Sequence, residues 1–269
     1  MSLPRRIANL TAALAQAAVP ALGYAGSLGR TVDPRYQVIK TPVVPATYAF
    51  SIWSAIFLTG LVYAIEQARP SRADDPLLRR IGWLTAAAFA ANAVWSVLAQ
   101  LEYPLVLTGL TLLVGVTAIL LAADRVFRSE PAIRGSDRWT VALPVGMLAG
   151  WLSVAIFANW SVVLADWNFA DRPSRTLQAL AFLAGAGLTA AVMIRRTGGA
   201  WPYVGVVAWA LVALIVGNVQ RGDPALAAAS AVLLILLGAL TWRVRRHARL
   251  IEPAMWWPRT EGPRPASSR

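Results

Sequence analysis

Eight apolar segments, each close to the length a helix needs to cross a bilayer, leave this chain few ways to fold. They run near Ile7–Leu28, Tyr48–Gln67, Ile81–Gln100, Tyr103–Ala123, Val141–Ala165, Thr176–Ile194, Trp201–Val219 and Pro224–Trp242. A hydrocarbon core takes roughly 20 residues of helix to cross, and lipid offers nothing to an unpaired backbone amide. The expected fold class is therefore all-α, a polytopic transmembrane helix bundle of about eight spans. Only Leu101 and Glu102 part the third span from the fourth, which predicts a tight helical hairpin. Arg221-Gly222-Asp223-Pro224 predicts a short turn between the seventh and the eighth. The remaining loops are too short for a second soluble domain.

The basic residues order these spans across the membrane. Of 25 Lys and Arg, nineteen fall in the N-terminal segment, in alternate loops and in the tail after Trp242. The six others, Arg30, Arg35, Lys40, Arg172, Arg175 and Arg221, fall in the loops between. Positive charge collects on the cytoplasmic side, so both termini are expected in the cytoplasm, with the spans in the cell (plasma or inner) membrane. The same distribution accounts for a net charge of +12, which would otherwise suggest a nucleic-acid partner. Nucleic-acid binding needs a basic face on a soluble surface. With 14% charged residues, against roughly 25% in soluble domains, this chain has little such surface, and the lipid bilayer is its expected partner. Arg5-Arg6 and the Ala-rich stretch after them resemble a signal peptide with Ala13-Leu14-Ala15 as cleavage site. The apolar stretch continues through Pro20 to Leu28, which favours a retained span. The tail from Arg243 is basic and Pro-rich, and Trp256-Trp257 are expected at the inner interface.

The inventory of reactive groups excludes several kinds of chemistry. All thirteen acidic residues lie in loops, at helix ends or in the tail. Ion-coupled carriers keep a carboxylate near the bilayer midplane, so a coupled carrier is not expected. There is no Cys, and the single His, His247, lies in the basic tail. A haem inside the membrane would have only Tyr or Met to ligate it. No metal-ligand cluster and no nucleophile–base pair can be assembled. Thus no catalytic residue, no metal and no required cofactor are expected.

Aromatic rings and amides remain. The chain has 12 Trp; Trp commonly sits at membrane interfaces, yet several here fall well within the spans. Phe50, Trp53 and Phe57 stand at i, i+3 and i+7 of the second span and share a helix face. Tyr48 lies just before them, and Pro42 and Pro45 lead in. Asn92 and Trp95 share a face of the third span. In the fifth, Gly146 and Gly150 form a small-xxx-small pair that admits a neighbouring helix. Trp151 follows, and Asn159 lies eight residues on, about 80° around the helix, with Trp160 beside it. One reading is an aromatic-walled, amide-lined cavity. The other is packing anchors and interhelical hydrogen bonds, which suits Asn218 in the seventh span and Asn9 and Gln16 in the first.

The segment Val44-Pro45-Ala46-Thr47-Tyr48-Ala49-Phe50-Ser51-Ile52-Trp53-Ser54-Ala55-Ile56-Phe57 resembles the start of the second helix of the translocator protein (TspO/MBR, tryptophan-rich sensory protein) family. That family shows a Pro-Pro pair, a Trp eight residues after the second Pro, and an aromatic four further on. Pro45, Trp53 and Phe57 match, and Val44 replaces the first Pro. Asn92-Ala93-Val94-Trp95 is similar to the family's Asn-x-x-Trp in the third helix. Trp151 and Asn159 reproduce its Trp-x7-Asn in the fifth, with Trp160 at the usual aromatic position. Met147 stands where the family has a Pro, and Pro144 lies almost one turn earlier. The resemblance covers about Ile7 to Asp166, the length of a five-helix member. It divides the chain into a TspO-like five-helix bundle (1–166), three additional transmembrane helices (167–242) and a basic cytoplasmic tail (243–269).

The resemblance implies binding of a porphyrin or related tetrapyrrole, or of a sterol-like apolar ligand, between the helices and under the long loop after the first. A regulatory, receptor or transport role goes with it. Trp53, Asn92, Trp95, Trp151 and Asn159 carry over as ligand contacts, and Phe50, Phe57 and Tyr48 join them by proximity on the second helix. A flat macrocycle stacks on Trp and Phe faces while amides orient its polar edge. Breakdown of a bound porphyrin is the one enzymatic option. Two further readings stand beside binding. One is a structural or pigment-associated subunit of a larger membrane complex, suggested by the added spans and the small-residue surface Gly185/Ala186/Gly187. The other is an uncoupled transporter of amphipathic molecules. A homodimer or a membrane-complex partner is compatible with each.

Overall fold

A computed structural model of the protein describes residues 2–25, 41–128, 135–167 and 172–251. They form eight helices: α1 (Ser2–Tyr24), α2 (Ile52–Ala68), α3 (Pro76–Gln100), α4 (Leu105–Phe127), α5 (Leu143–Asp166), α6 (Arg172–Arg196), α7 (Trp201–Gln220) and α8 (Pro224–Ile251). A 3-10 turn, Thr47–Ser51, leads into α2, and a π turn, Arg138–Ala142, leads into α5. A helix stands at each of the eight expected spans, and several extend past their apolar stretches. Helix α3 begins at Pro76 because Asp75 caps it, accepting a hydrogen bond from the Leu78 amide at 2.9 Å, with proline in the first helical position, where its missing N–H costs nothing. Helix α8 continues beyond Trp242 through an Arg-rich stretch, arginine being a good helix former. The α3–α4 hairpin turns through Glu102 at φ 55°, and the α7–α8 turn through Gly222 at φ 72°. Asp223 then caps α8, accepting from the Leu226 amide at 3.0 Å. The expected cover from the loop after α1 and the placement of Trp256-Trp257 lie outside the described residues.

Helices α2 to α8 are each long and apolar enough to cross a membrane. Helix α1 is not among them; it is polar on its buried face and apolar on its exposed face. Leu3, Ile7, Leu14 and Leu22 are exposed, whereas Arg5, Asn9, Ala12, Ala13 and Gln16 form a buried stripe at helical spacing. That stripe is matched by polar groups of α3. Asn9 Nδ2 donates to the Gly82 carbonyl at 2.6 Å, and Thr85 Oγ1 donates to Asn9 Oδ1 at 2.7 Å. The Thr85 hydroxyl also lies 2.8 Å from that of Tyr63 on α2. Higher on the same seam Gln100 Nε2 donates to the Val19 carbonyl at 3.2 Å. An outward apolar face and inward amides fit a helix in lipid, where hydrogen bonds between helices replace the hydrophobic drive.

The helices pack as a ring in the order α1–α2–α5–α4–α3, closing back on α1. Helix α5 belongs to a second group as well: α7 and α6 flank it, and α8 packs against both of those. Its membrane window is accordingly the most buried, 72%, against 28% for α2. Gly146 and Gly150 admit a neighbour as expected, and the neighbour is α7. A Cβ on Gly146 would meet Pro202 Cβ at 2.7 Å, and one on Gly150 would meet the Tyr203 carbonyl oxygen at 2.7 Å. The Ser153 and Tyr203 hydroxyls join across this contact at 2.9 Å. The small-residue surface of α6 is also used within the chain. Gly185 faces the Phe157 ring of α5, Gly187 faces Leu233 of α8, and Ala186 is buried. That surface is therefore occupied within the chain.

Ion pairs gather at the end where α2 finishes and α5 begins. Arg72 reaches Asp137 at 2.6 Å, Asp75 at 3.0 Å and Glu66 at 3.5 Å. Burial works against its charge, yet the three carboxylates outweigh it and hold the Arg72 pKa above its usual value. Arg196 of α6 grips Asp124 of α4 through two bonds of 2.7 and 2.9 Å.

Overpacking a helix contact this close costs about 1–3 kcal/mol. Gly150→Ala is expected to lower the melting temperature in detergent by several degrees. Gly205→Ala, on α7 where an added Cβ meets nothing within 4 Å, should leave it unchanged or slightly raised. Equal melting of the two variants would mean that α7 does not lie on Gly150.

Candidate functional site

The 3-10 turn and the first turns of α2 carry three aromatic rings toward α5. Trp53 and Phe57 stack with centroids 5.2 Å apart and planes 22° from parallel. The ring of Trp151 meets Trp53 edge-on at 5.8 Å, and Phe50 meets the same indole edge-on, also at 5.8 Å. These offset and edge-to-face geometries suit ring quadrupoles and add about 0.5–1.5 kcal/mol per pair beyond burial. Trp151 is the anchor at 3% exposure; Trp53 and Phe57 are half-buried, and Phe50 keeps 42% of its surface open. Tyr48 turns the other way, edge-on to Trp209 of α7 at 5.4 Å.

Gly60 shares a face with Trp53 and Phe57, seven and three residues on. The absent side chain makes room for Gln16 of α1, whose Nε2 would lie 2.9 Å from a Cβ at this position. Gln16 Oε1 accepts from Asn92 Nδ2 of α3 at 3.2 Å. Both side chains are buried, and among the described residues Gln16 Nε2 and Asn92 Oδ1 have no hydrogen-bond partner. Turning both amides over would exchange the atoms but still leave one donor and one acceptor open. Each unmade bond in such a place costs about 1–3 kcal/mol. The site thus presents stacked rings and, about one turn further along α2, an open donor beside an open acceptor.

Asn159 is occupied differently. Its Nδ2 donates to Thr108 Oγ1 of α4 at 3.2 Å, and Trp160 beside it lies over Gly109. Trp151 therefore faces α2 and Asn159 faces α4, the two helices that flank α5 in the ring, as their 80° separation allows. Trp95 packs half-buried against the main core. Of the eight candidate residues, Phe50, Trp53, Phe57 and Trp151 form one cluster, and Asn92 stands near it through Gln16. Tyr48 and Asn159 have Trp209 and Thr108 as partners. Sequence alone places Gln16 with the packing residues; the signal it offers is an amide in mid-helix, eight residues from the end of α1. Among the described residues no three His, Cys, Asp or Glu side chains gather as metal ligands, and the acidic groups sit at helix ends.

A family model described as TSPO-like protein matches residues 6–242. The match begins in the first turns of α1 and ends at Trp242 in α8, so it takes in α6–α8 together with the five-helix ring. No curated protein matches the chain, and no solved structure does.

If Trp53 and Trp151 interact as their edge-on geometry indicates, their contributions to stability are not additive. A double-mutant cycle with Trp53→Leu and Trp151→Leu, read by thermal or denaturant unfolding in detergent, is expected to return a coupling of about 0.5–1.5 kcal/mol. Trp151→Leu alone should be the more damaging of the two, since it empties the more buried position. A coupling of zero would separate the two rings.

Proposed function

The chain belongs to the TSPO-like protein family, and from that we propose that this multi-pass membrane protein binds a flat apolar ligand, a porphyrin or related tetrapyrrole, within the α1–α5 ring. The observation that carries the reading is the open donor and acceptor on Gln16 and Asn92, beside the helix face that holds Trp53 and Phe57. A packed scaffold gains nothing from two unfilled amide groups in its interior. A macrocycle with an apolar plane and a polar edge would satisfy both features, its plane on the rings and its edge on the amides. Helix α2 is the least buried member of the ring among those with a membrane window, so displacing it to admit a ligand disturbs the least packing. Binding of this kind needs no reactive side chain. The subunit reading keeps only the presence of α6–α8 in its favour, since their small-residue surface is occupied within the chain.

The test is a titration of the purified protein with protoporphyrin IX and, separately, with a sterol, read by intrinsic Trp fluorescence. Saturable quenching by the porphyrin is expected. Trp53→Leu should weaken it about 3–10-fold, the worth of one aromatic contact. Absence of saturable quenching in the unaltered protein would refute the reading. Saturation by the sterol alone would move the ligand to that class.

The positive charge on alternate loops supports a cytoplasmic location for the N-terminal end of α1 and the C-terminal end of α8. Because the chain has no Cys, single cysteines report this cleanly. Leu101→Cys, in the exposed α3–α4 turn, should react with a membrane-impermeant maleimide in intact cells. Asp74→Cys, exposed between α2 and α3, should react only after permeabilisation. The reverse pattern would invert the protein.

A further inference from the structure

The segment that leads into the aromatic site is held by a helix far away in the chain. Residues 41–46 are irregular and carry two prolines; the Val44 amide meets the Thr41 carbonyl and the Ala49 amide the Ala46 carbonyl, but the Pro42 and Val44 carbonyls need donors from elsewhere. Helix α7 supplies the donors. Asn218 Nδ2 donates to the Pro42 carbonyl at 2.9 Å. An Arg221 terminal nitrogen donates to the Val44 carbonyl at 3.0 Å and to Asn218 Oδ1 at 3.1 Å. In the other direction the Ala46 amide donates to the Ala213 carbonyl at 3.0 Å. One turn further up α7, Trp209 Nε1 donates to the Ala49 carbonyl within the 3-10 turn, at 3.1 Å. The approach is so close that a Cβ on Gly217 would lie 3.0 Å from both the Ala46 nitrogen and an Arg221 guanidinium nitrogen. Helix α5 adds one tie, with the Thr41 and Ser161 hydroxyls 2.6 Å apart.

These bonds end at Ala49, and the next residue is Phe50. The 3-10 turn runs without a break into α2, so the position of residues 42–49 sets where Phe50 and Trp53 meet Trp151. Helix α2 has little burial along its length to fix it independently. At its far end it is tied through Tyr63 to Thr85 and through Glu66 to Arg72; at the site end the ties are to α7. A guanidinium spent on backbone carbonyls is an arginine used as a fixed, branched donor.

We propose that Arg221 and Asn218 are positioning residues of the ring's aromatic site, and that α7 thereby holds in place a site built from other helices. Neither residue touches the aromatic cluster; they act through the 42–49 segment. The part of this inference that concerns affinity rests on the porphyrin-binding reading, whereas the part that concerns ring geometry does not.

The experiment uses the full chain in detergent with Arg221→Gln, a half-exposed position that is tolerant of change, and Asn218→Leu as the stronger variant. Three readouts are taken: hydrogen exchange over residues 41–51, the Trp53–Trp151 double-mutant coupling in the Arg221→Gln background, and quenching by protoporphyrin IX. Exchange of the 41–51 amides is expected to rise about tenfold while exchange in α3 and α4 is unchanged. The Trp53–Trp151 coupling should be lost, and porphyrin affinity should fall about 3–10-fold, with Arg221→Lys retaining part of each. Unchanged exchange would show that Arg221 does not hold the segment. Raised exchange with an intact Trp53–Trp151 coupling would show that the segment does not position the rings, and either result overturns the proposal. If the unaltered protein does not bind the porphyrin, the binding reading fails, and exchange and coupling still decide whether Arg221 positions the rings. Should Asn218→Leu not fold, Arg221→Gln and Arg221→Lys suffice.

Discussion

The contact between α5 and α7 over Gly146 and Gly150 is the one on which the rest of this arrangement depends. In lipid there is little hydrophobic gain from bringing two helices together, so close packing and hydrogen bonds must do it. Two glycines a turn apart remove the side chains that would keep the backbones apart, and the Ser153–Tyr203 hydroxyl pair adds a directional bond at the same place. Once α7 is seated there, it extends alongside the 3-10 turn ahead of α2, and Trp209 and Asn218 come within reach of that segment. Helix α5 is thereby a wall with two sides: Trp151 and Asn159 face ring neighbours, while Gly146, Gly150 and Phe157 receive the added helices.

The two sides are held by different forces. Toward α7 and α6 the fit is by shape, with small residues opposite Pro202, Tyr203 or a Phe ring. Within the ring the seam between α1 and α3 is polar from Asn9 to Gln100, and α1 turns Leu3, Leu14 and Leu22 outward. A helix bound by amides tolerates less error than one bound by shape, because a missing partner leaves a polar group in a medium that cannot solvate it. The same physics makes the open pair at Gln16 and Asn92 conspicuous: on a seam where Asn9 fills both ends of its amide, these two share a single bond between them, and among the described residues Gln100 too has one filled atom and one open.

Much of the fold was legible in the sequence because membrane length and hydropathy are local properties. The eight helices, the Leu101–Glu102 hairpin and the Arg221–Pro224 turn all follow from residues within a few positions of one another. Helix ends were less legible, since Asp75 and the Arg-rich start of the tail extend helices beyond hydrocarbon length by capping and propensity rather than by apolarity. In the candidate site, the stripe Phe50, Trp53 and Phe57 could be read from helical periodicity, and the Gly146/Gly150 pair announced a close neighbour without saying which. Partner choice was not legible, being fixed by how the ring closes. Nothing near Asn159 in the chain points to Thr108, nothing near Asn92 points to Gln16, and Tyr48 sits beside Phe50 in sequence yet turns to Trp209. Asn218 reads as a packing residue in the sequence, and its amide bonds a segment 176 residues away.

The bonds from α7 to the lead-in of α2 also bear on the order in which the protein can be made. Synthesis and membrane insertion proceed from the N-terminus, and α2 emerges long before α7. Until Trp209, Asn218 and the Ala213 carbonyl arrive, Pro42, Ala46 and Ala49 lack the partners they have in the finished protein. The first half of the chain can therefore be threaded and packed as a ring while its aromatic entrance is still unset. Completion of that entrance coincides with insertion of the last helices, so a truncated or stalled chain would carry the rings of the site without their final register.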